Sequence, residues 1–429
     1  MNKTIVISID ALISSDIEVM KRMPNLGRIM EHASYVTDIE CIYPTFTYPC
    51  HVTIATGVYP DKHGICHNER FQLNVPKAEW YWFAKDIQVP TVVTAAKEHG
   101  LTTSTVTWPV MCDCGADYNI GEIWAPREED DPTPYFDQAD SPAVKHIFER
   151  HKGVIRWMKT PPLDNFAALC AADIIDEFEP DLMLLHLSYV DHVRHQLGVN
   201  NPEVMKGLAF VDEKIGQVID KVIEKGLFDR TNFVILGDHG QLYCKHIFNL
   251  NYLLQKRGYI TTDENGSVTD YEIYSHSSAF STQIYTKAGM DLDQVYQVLK
   301  DIQREYPEYI ETVYTKKDVK EKFHLDGPFD FVLEGGEGIT FGKGLGNGEL
   351  VNHVTNDDYK WSTSTHGHDP RKGDKPPFIM SGPDVKEGVV IRGGRLVDEA
   401  PTIMKLFGIT MEHADGTPFV SLLKNNGQS

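Results

Sequence analysis

Two apolar segments decide the fold of this chain: DLMLLHLSYVDHVRH (residues 181–195) and NFVILGDHG (residues 232–240). Each begins as a short apolar run with the composition of a buried strand, and each ends in carboxylate and imidazole side chains. Between them, apolar residues recur at helical spacing from Leu208 to Val222, and Gly226 follows as a stop signal. A strand, helix, strand succession of this kind predicts parallel strands in a sheet that helices cover on both faces.

The same alternation continues on both sides of these segments. The first residues contain TIVISI (residues 4–9), which predicts a strand that ends at Asp10. Further strands are predicted over residues 102–108 and 377–380, and further helices over residues 90–99, 166–178 and 402–407. The predicted fold class is therefore α/β, with a mostly parallel central sheet and helices on both faces.

The pattern changes after about residue 250. Polar turns, a strand over residues 279–285 and a helix over residues 291–306 precede a glycine-rich stretch, GGEGITFGKGLGNGEL (residues 335–350). The glycines lack the strand-then-helix context of a phosphate-binding loop, so they predict hairpin turns. We therefore expect a catalytic core formed by residues 1–250 and 356–429, interrupted by a smaller α+β cap over residues 251–355.

Composition excludes several classes of protein. The 429 residues are 41% hydrophobic and 10% aromatic, which is enough for a real core and excludes global disorder. The 41 Lys and Arg residues face 62 Asp and Glu residues, and the formal charge of −21 argues against stable binding to nucleic acid or to an anionic membrane surface. No uninterrupted apolar run approaches the roughly 20 residues that span a bilayer.

The beginning of the chain and its cysteines predict a cellular location. MNKTIVISIDAL reads as a strand and not as a signal peptide, because Asp10 interrupts the apolar stretch and no small-residue cleavage site follows. Seven scattered cysteines form neither a disulfide framework nor a zinc-finger pattern. The prediction is a reduced, cytoplasmic, soluble protein.

Metal-type ligands follow the predicted strands or lie in predicted loops. In an open α/β sheet, ligands bind beyond the carboxyl ends of the strands, so these side chains can converge on one crevice. Any one of them alone could be a helix cap or a hydrogen-bonded histidine. Together they supply three carboxylates and three imidazoles, a set that suits two zinc ions. The candidate ligands are Asp10, Asp191, His195, Asp238, His239 and His366.

A nucleophile can be sought in YPTFTYPCHVTIATGVYPDKHGICHN (residues 43–68). Thr45 and Thr47 both precede Pro49, and proline in a first turn suggests a helix N-terminus, where free N–H groups favour an oxyanion. A threonine hydroxyl is a poor nucleophile at its normal pKa, and coordination to zinc is one way to activate it. The residues alone leave open which threonine acts, and also whether Thr47 is only a helix cap.

In their order along the chain, these segments, together with Trp108-Pro109, resemble the alkaline phosphatase superfamily. Within it the chain resembles the nucleotide pyrophosphatase/phosphodiesterase (type I phosphodiesterase) family, over roughly residues 1–245 and 360–410. The resemblance implies an alkaline-phosphatase-like fold and selects Thr47 as the nucleophile. It also implies that Asp191, His195 and His366 hold one zinc ion, and that a second is held by Asp10, Thr47, Asp238 and His239.

The resemblance assigns further roles around the nucleophile. Asn68 is expected to donate a hydrogen bond to a phosphoryl oxygen, and Tyr48 is expected to line the pocket for the leaving group or nucleobase. A second aromatic wall is also expected, and its candidates are Trp124, Trp157 and the run from Trp80 to Phe83. The chain departs from the family at Cys50, where relatives carry asparagine; this leaves the ligand set intact but alters the packing beneath the nucleophile.

The resemblance implies a zinc-dependent phosphodiesterase or nucleotide pyrophosphatase that acts on small phosphodiesters through a covalent phosphothreonine. A phosphomonoesterase or phosphonate hydrolase of the same superfamily is the first alternative. A monoesterase often uses an arginine to hold the extra charge, and no arginine near Thr47 clearly serves this role, although Arg70 lies just past Asn68; a diester or nucleotide pyrophosphate is therefore preferred. Two further alternatives are a manganese-dependent phosphomutase, which threonine in place of serine disfavours, and a zinc-stabilised binding protein without catalysis.

Overall fold

The protein was analysed as a computed structural model that describes residues 1–75, 78–127, 129–156, 159, 161–346, 348–354 and 363–424. Its strands are β1 (Lys3–Ile9), β2 (Ser34–Glu40), β3 (Thr103–Val106), β4 (Tyr118–Ile120), β5 (Leu182–Leu187), β6 (Thr231–Leu236), β7 (Leu242–Tyr243), β8 (His246–Phe248), β9 (Ile260–Thr262), β10 (Val268–Tyr271), β11 (Ile273–Ser278), β12 (Ser281–Thr286), β13 (Ile310–Thr315), β14 (Phe331–Gly335), β15 (Ile339–Phe341), β16 (Val351–His353), β17 (Ser364–Thr365), β18 (Phe378–Ser381) and β19 (Val390–Arg395). Its α-helices are α1 (Ile17–Met20), α2 (Pro24–Met30), α3 (Thr47–Thr56), α4 (Pro60–His63), α5 (Val92–Glu98), α6 (Thr133–Ala139), α7 (Lys145–His151), α8 (Pro162–Phe178), α9 (Tyr189–Leu197), α10 (Val204–Glu224), α11 (Leu250–Lys256), α12 (Leu292–Glu305), α13 (Lys316–Phe323) and α14 (Glu399–Lys405).

Eight strands form the central sheet, in the order β19-β2-β18-β6-β1-β5-β3-β4. All neighbouring pairs are parallel except those of β18, which runs antiparallel to both β2 and β6. Side chains of β1 alternate between the two faces of the sheet: Ile5, Ile7 and Ile9 pack with α2, α8 and α10, whereas Val6 packs with α3, α5 and α14. The predicted α/β class, with a mostly parallel sheet covered on both faces, is confirmed.

A second group of strands lies between β6 and β18 in the chain. Strands β11, β12, β14 and β13 form an antiparallel sheet in that order. The apolar face of α12, from Val295 to Ile302, lies in a separate hydrophobic cluster with residues of this sheet. Phe248 and Leu250 belong to the same cluster. The predicted domain boundaries at 250 and 356 stay a prediction, and the second lies outside the described residues.

The glycine-rich stretch does not form the hairpin that its composition predicted. Strand β15 lies within it and β16 follows it directly, but each pairs with β8, β15 in parallel and β16 antiparallel, so β8 lies between them. The prediction was wrong because a neighbouring strand from residues 246–248 supplies the hydrogen-bonding partners that a hairpin would have supplied internally. In the described part of the chain, no helix is both long enough and apolar enough to cross a membrane. All seven cysteines are free thiols.

Candidate metal centre

The sheet register brings three predicted ligand segments to one edge. Ile9 of β1 lies opposite Leu187 of β5, and Ser8 lies opposite Leu236 of β6, so all three strands end at the same level. Asp10 therefore follows β1 beside the start of α9, and its N–H donates to the carbonyl oxygen of Leu187 over 2.9 Å. The backbone N–H of Ala11 donates to Oδ1 of Asp238 over 3.0 Å, which ties the ends of β1 and β6 together.

One cluster of ligand-type atoms is formed by Asp191, His195 and His366. One side-chain atom from each lies within 4.8 Å of the others, and all three residues are buried. Asp191 and His195 are four residues apart on α9, which puts them on one face of the helix, with His195 Nε2 lying 3.2 Å from Asp191 Oδ2. Nε2 of His366 lies 3.9 Å from Asp191 Oδ1. These residues make up the first predicted ligand set.

A second cluster surrounds the ring of His239. Its Nε2 lies 3.2 Å from Oδ2 of Asp238 and 3.5 Å from Oδ1 of Asp10. The same nitrogen lies 3.1 Å from Oγ1 of Thr47. These four residues are the predicted second set, and Asp191 also lies within 4.8 Å of Asp10 and His239, so it borders both clusters.

The three histidines present the same ring nitrogen to the clusters. Nδ1 of His195 lies 2.8 Å from the carbonyl oxygen of Ser364, and Nδ1 of His366 lies 3.0 Å from that of Thr45. Nδ1 of His239 faces the carbonyl oxygen of Gly240 at 3.2 Å. Because a carbonyl oxygen only accepts, Nδ1 carries the proton and Nε2 keeps a lone pair, which is the usual arrangement of histidines that bind metal.

Two carboxylate oxygens at the site are available to bind a cation. Oδ1 of Asp10 and Oδ2 of Asp238 are buried and have no hydrogen-bond partner among the described residues. Burial and then the charge of Asp238 raise the pKa of Asp10 well above its ordinary value. Burial also lowers the pKa of His366 well below its ordinary value, which favours the neutral ring. Crowded carboxylates beside neutral imidazoles fit a site for divalent metal ions, and nitrogen with oxygen donors suits zinc.

The two candidate threonines differ in what their hydroxyls do. Thr47 is the first residue of α3, after the extended residue Phe46, so its hydroxyl lies at a helix N-terminus as Pro49 indicated. The Thr45 hydroxyl is buried and accepts from the N–H groups of Gly367 (3.0 Å) and His368 (2.9 Å). It also donates to the carbonyl oxygen of His368 over 3.1 Å. Thr45 therefore joins two chain segments, whereas the Thr47 hydroxyl faces the histidine cluster.

The orientation of Asn68 follows from one hydrogen bond. The backbone N–H of Tyr48 donates to Oδ1 of Asn68 over 2.9 Å, and Asn68 is buried. Since a backbone N–H can only donate, the Asn68 amide must present its oxygen to Tyr48 and its NH2 group elsewhere. The amide thus lies beside the nucleophile segment with a donor available for another partner.

The position of Tyr48 differs from its predicted role in lining a pocket. Its side chain is fully buried, and Trp80 packs edge-on against it with ring centroids 5.0 Å apart. Trp80 in turn packs against Trp124 at 4.8 Å, and both tryptophans are half-buried. In this arrangement Tyr48 has no exposed surface, whereas Trp80 and Trp124 are partly exposed. Trp157, another predicted wall, lies outside the described residues.

Several residues at the site were not predicted. His186, an isolated polar residue in the apolar strand β5, has Nε2 3.3 Å from Oδ2 of Asp10. Gln241 donates from Nε2 to Oδ1 of Asp191 and accepts from the Ser364 hydroxyl over 2.7 Å. A histidine inside an otherwise apolar strand could have indicated His186 from the sequence, whereas nothing in the sequence around Gln241 distinguishes that residue.

Arg70 and His51 also have defined surroundings. Arg70 donates to Asp86 over 2.6 Å, and its guanidinium lies 4.6 Å from the ring centroid of Tyr81. His51, one turn after Thr47, is buried with Nδ1 2.8 Å from the Thr47 carbonyl oxygen. The structure therefore makes His51 a hydrogen-bonded residue of α3, since its Nε2 also lies 2.8 Å from the Ser8 hydroxyl.

Comparison with known proteins identifies relatives along the whole chain. The family profile described as type I phosphodiesterase / nucleotide pyrophosphatase matches residues 4–369. Human ectonucleotide pyrophosphatase/phosphodiesterase family member 5 is 23% identical over 413 residues, 92% of this chain and 72% of that protein. A bis(5'-adenosyl)-triphosphatase from Xenopus laevis is 24% identical over 418 residues, 92% of this chain and 75% of that protein. Human family member 1 is 27% identical over 245 residues, which cover 54% of this chain and only 23% of that longer protein.

Solved structures share the fold. Murine ectonucleotide pyrophosphatase/phosphodiesterase 5 superposes with a TM-score of 0.68 at 18% identity, covering 98% of this chain and 100% of that chain. An inactive variant of the same murine protein, in complex with AMP, superposes with a TM-score of 0.69 at 18% identity, covering 99% of this chain and 100% of that chain.

Proposed function

Because this chain belongs to the type I phosphodiesterase/nucleotide pyrophosphatase family, which its match over residues 4–369 shows, we propose that it is a zinc-dependent hydrolase of small phosphodiesters. The proposed nucleophile is Thr47. The observation that carries this proposal is the Thr47 hydroxyl at a helix N-terminus, 3.1 Å from Nε2 of His239, in a site where one buried oxygen each of Asp10 and Asp238 has no hydrogen-bond partner among the described residues.

The two clusters would hold two zinc ions. Asp191, His195 and His366 are the proposed ligands of one ion, and Asp10, Thr47, Asp238 and His239 are those of the other. When bound, zinc would supply positive charge that stabilises the attacking and leaving oxygens and lowers the pKa of the Thr47 hydroxyl. The carbonyl oxygens on Nδ1 of the histidines and the Gln241 amide on Asp191 would keep these ligands oriented.

The proposed reaction consists of two successive displacements at phosphorus, first by Thr47 and then by water. Oγ1 of Thr47 loses its proton to water and attacks phosphorus, and the bond to the leaving oxygen breaks with its electron pair remaining on that oxygen. This step leaves a phosphoryl ester on Thr47. Water then attacks the same phosphorus, loses a proton, and expels Thr47 Oγ1, which is reprotonated. Asn68 donates from its NH2 group to a non-bridging oxygen, the orientation that its bond to Tyr48 favours.

A diester is the preferred substrate class. A phosphomonoester carries one more negative charge, which proteins often hold with a bidentate arginine. Arg70, the arginine that follows Asn68 in the sequence, is already paired with Asp86 at 2.6 Å. The relatives also point to nucleotides: one is named a bis(5'-adenosyl)-triphosphatase, and an inactive variant of a murine relative has been solved in complex with AMP. We therefore place nucleotides among the proposed substrates.

The two half-buried tryptophans are suited to bind the aromatic ring of a nucleobase. Trp80 and Trp124 lie 4.8 Å apart and cover Tyr48, the residue after the proposed nucleophile. Aromatic side chains in such a position can stack on a nucleobase, and each stacked base contributes about 1–3 kcal/mol to binding in proteins that use this contact. The role that the resemblance implied for Tyr48 is therefore reassigned in the proposal to Trp80 and Trp124.

The test compares Thr47→Ala with the wild type on two substrates, bis(p-nitrophenyl) phosphate and p-nitrophenyl phosphate, with zinc content measured by elemental analysis. We expect two zinc ions per chain in the wild type, faster hydrolysis of the diester, and loss of turnover in Thr47→Ala with zinc still bound. Retained diesterase activity in Thr47→Ala would contradict the nucleophile. Faster hydrolysis of the monoester would favour a phosphomonoesterase, and zinc binding without turnover of either ester would favour a binding protein.

A further inference from the structure

The antiparallel sheet β11-β12-β14-β13 contacts three segments of the proposed active site. These segments are residues 43–47, which lead into Thr47, residues 66–68, which end at Asn68, and residues 366–372, which begin at His366. All three contacts are hydrogen bonds that involve buried side chains of this sheet, namely Ser281, Gln283 and Glu334. We infer that this sheet positions the nucleophile and metal-ligand segments relative to each other, and that Glu334 of β14 is its principal positioning residue.

Glu334 joins two of the three segments directly. Its side chain is buried, and Oε2 accepts from the Tyr43 hydroxyl over 2.9 Å. Oε1 accepts from the backbone N–H of Asp369 over 3.1 Å and from Nζ of Lys372 over 2.9 Å. One carboxylate thus holds the segment that enters α3 and the loop that follows His366. Burial raises the pKa of Glu334 to about 7, and the charge of Lys372 opposes this rise and so favours the carboxylate that accepts from these donors.

Strand β12 makes two further contacts with the same segments. The Ser281 hydroxyl donates to the carbonyl oxygen of Gly367 over 2.7 Å, next to the proposed ligand His366. The side-chain amide of Gln283 donates to the carbonyl oxygen of Cys66 over 2.8 Å, two residues before Asn68. These bonds add a second attachment for the His366 loop and one for the Asn68 segment.

The loop after His366 approaches this sheet too closely for a side chain. Gly367 has φ +86°, and a Cβ atom there would lie 1.8 Å from the carbonyl oxygen of Ser278. Glycine is therefore required for both backbone conformation and contact. The position of His366 thus depends on the adjacent sheet as well as on the central one.

A small displacement of these segments would matter for the proposed chemistry. Nδ1 of His366 bonds the carbonyl oxygen of Thr45, so the His366 loop and the Thr47 segment also contact each other. Glu334 binds the same two segments at other residues, Tyr43 in one and Asp369 with Lys372 in the other. Residues that orient ligands without touching the metal change metal affinity or activity by about 10–100-fold when they are mutated. Glu334 should act in this way, as a positioning residue and not as a catalytic one.

The inference rests on the proposed function, and its test uses zinc affinity and activity in parallel. Glu334→Ala removes all three bonds, whereas Glu334→Gln keeps an oxygen for the Asp369 N–H and a polar group for the Tyr43 hydroxyl. The matched control is Glu311→Gln: Glu311 also lies in this sheet and binds Lys372, the last residue of the third segment, over 2.6 Å, but no bond described above joins it to the other two segments, and Lys372 keeps its bond to Glu334 in this variant. Zinc affinity is measured by competition with a chelator, kcat and KM with bis(p-nitrophenyl) phosphate, and folding by thermal unfolding.

We expect Glu334→Ala to lose about 10–100-fold in zinc affinity and a similar factor in kcat, with Glu334→Gln recovering most of both losses. Glu311→Gln should match the wild type. A Glu334→Ala variant that is less thermostable but keeps wild-type zinc affinity and kcat would overturn the inference, because a merely structural residue behaves in that way.

Two milder variants keep the inference testable if Glu334→Ala does not fold. Tyr43→Phe and Ser281→Ala each remove one of the attachments, and each should weaken zinc binding or lower kcat in a folded protein. Wild-type values in both would overturn the inference. If the wild type hydrolyses no phosphoester, the proposed function fails, while zinc affinities of the variants still decide whether Glu334 positions the ligand loop.

Discussion

Thr45→Val tests whether Thr45 joins two segments of the site while Thr47 reacts. Valine has nearly the same shape as threonine, so the change removes the hydroxyl without creating a large cavity. The Thr45 hydroxyl bonds two N–H groups and one carbonyl oxygen of residues 367 and 368. Two of these groups keep a second partner, because the Gly367 N–H also donates to the Thr45 carbonyl oxygen and the His368 carbonyl oxygen also accepts from the Thr45 N–H.

The expected cost follows from this count. The His368 N–H would be left buried without its partner, at about 1–3 kcal/mol, and the two weakened bonds would add about 1 kcal/mol or less each. The free energy of unfolding should therefore fall by about 1–5 kcal/mol. Thr45→Ser is the matched control, since it keeps the hydroxyl and loses one methyl group, at about 1 kcal/mol.

The assay is urea-induced unfolding of both variants with chelator present, followed by turnover of bis(p-nitrophenyl) phosphate at saturating zinc. Thr45→Val should unfold at a lower urea concentration than Thr45→Ser and should still hydrolyse the diester when zinc is saturating. Equal stability of the two variants would refute the assigned hydrogen bonds. Complete loss of turnover in Thr45→Val, with zinc bound and the chain folded, would refute the choice of Thr47.

Three further predictions concern Asn68, Glu122 and Arg194. Asn68→Asp keeps the oxygen that accepts from the Tyr48 N–H but loses the NH2 donor. We therefore expect kcat to fall by about 10²–10³-fold with zinc affinity unchanged. Steady-state kinetics measure the first quantity and chelator competition measures the second. Burial raises the pKa of Glu122 from 4.5 to about 8. Between these two pH values the native state holds a proton that the unfolded state releases. The free energy of unfolding should therefore fall as the pH rises from about 4.5 to 8, by at most about 5 kcal/mol. Glu122→Gln should flatten that dependence in unfolding experiments at pH 5 and pH 8, and parallel curves for wild type and variant would contradict it. Arg194→Met removes the buried contacts of Arg194 Nη2 with both carboxylate oxygens of Asp16 (2.8 and 2.9 Å) and should lower the free energy of unfolding by about 3–5 kcal/mol. Arg127→Met, which breaks the exposed pair with Asp130, should lower it by less than about 1 kcal/mol. Denaturation midpoints that shift equally in the two variants would contradict this difference.

The central strands and the ligand segments were predictable from the sequence because the relevant information is local. The apolar runs that form β1, β5 and β6 each contrast with the polar residues that follow them, and parallel strands bring their carboxyl ends together. Asp191 and His195 are four residues apart, which places them on one helical face. The antiparallel direction of β18 was not predictable, because an apolar run has the same composition in either direction.

The missed features depend on contacts between distant parts of the chain. Tyr43 meets Glu334 and Thr45 meets His368 across about three hundred residues, and neither partner has a sequence pattern that points to the other. The burial of Tyr48 depends in the same way on Trp80, whose position is set by packing. The cytoplasmic location remains a prediction.

The stereochemical course at phosphorus tests the proposed Thr47 ester most directly. A nucleoside phosphorothioate diester of known configuration is hydrolysed in oxygen-18 water, and the configuration of the product is determined. Each in-line displacement inverts phosphorus, so attack by Thr47 followed by attack of water predicts net retention. Net inversion would mean that water attacks the substrate in a single step, and it would contradict a covalent intermediate on Thr47.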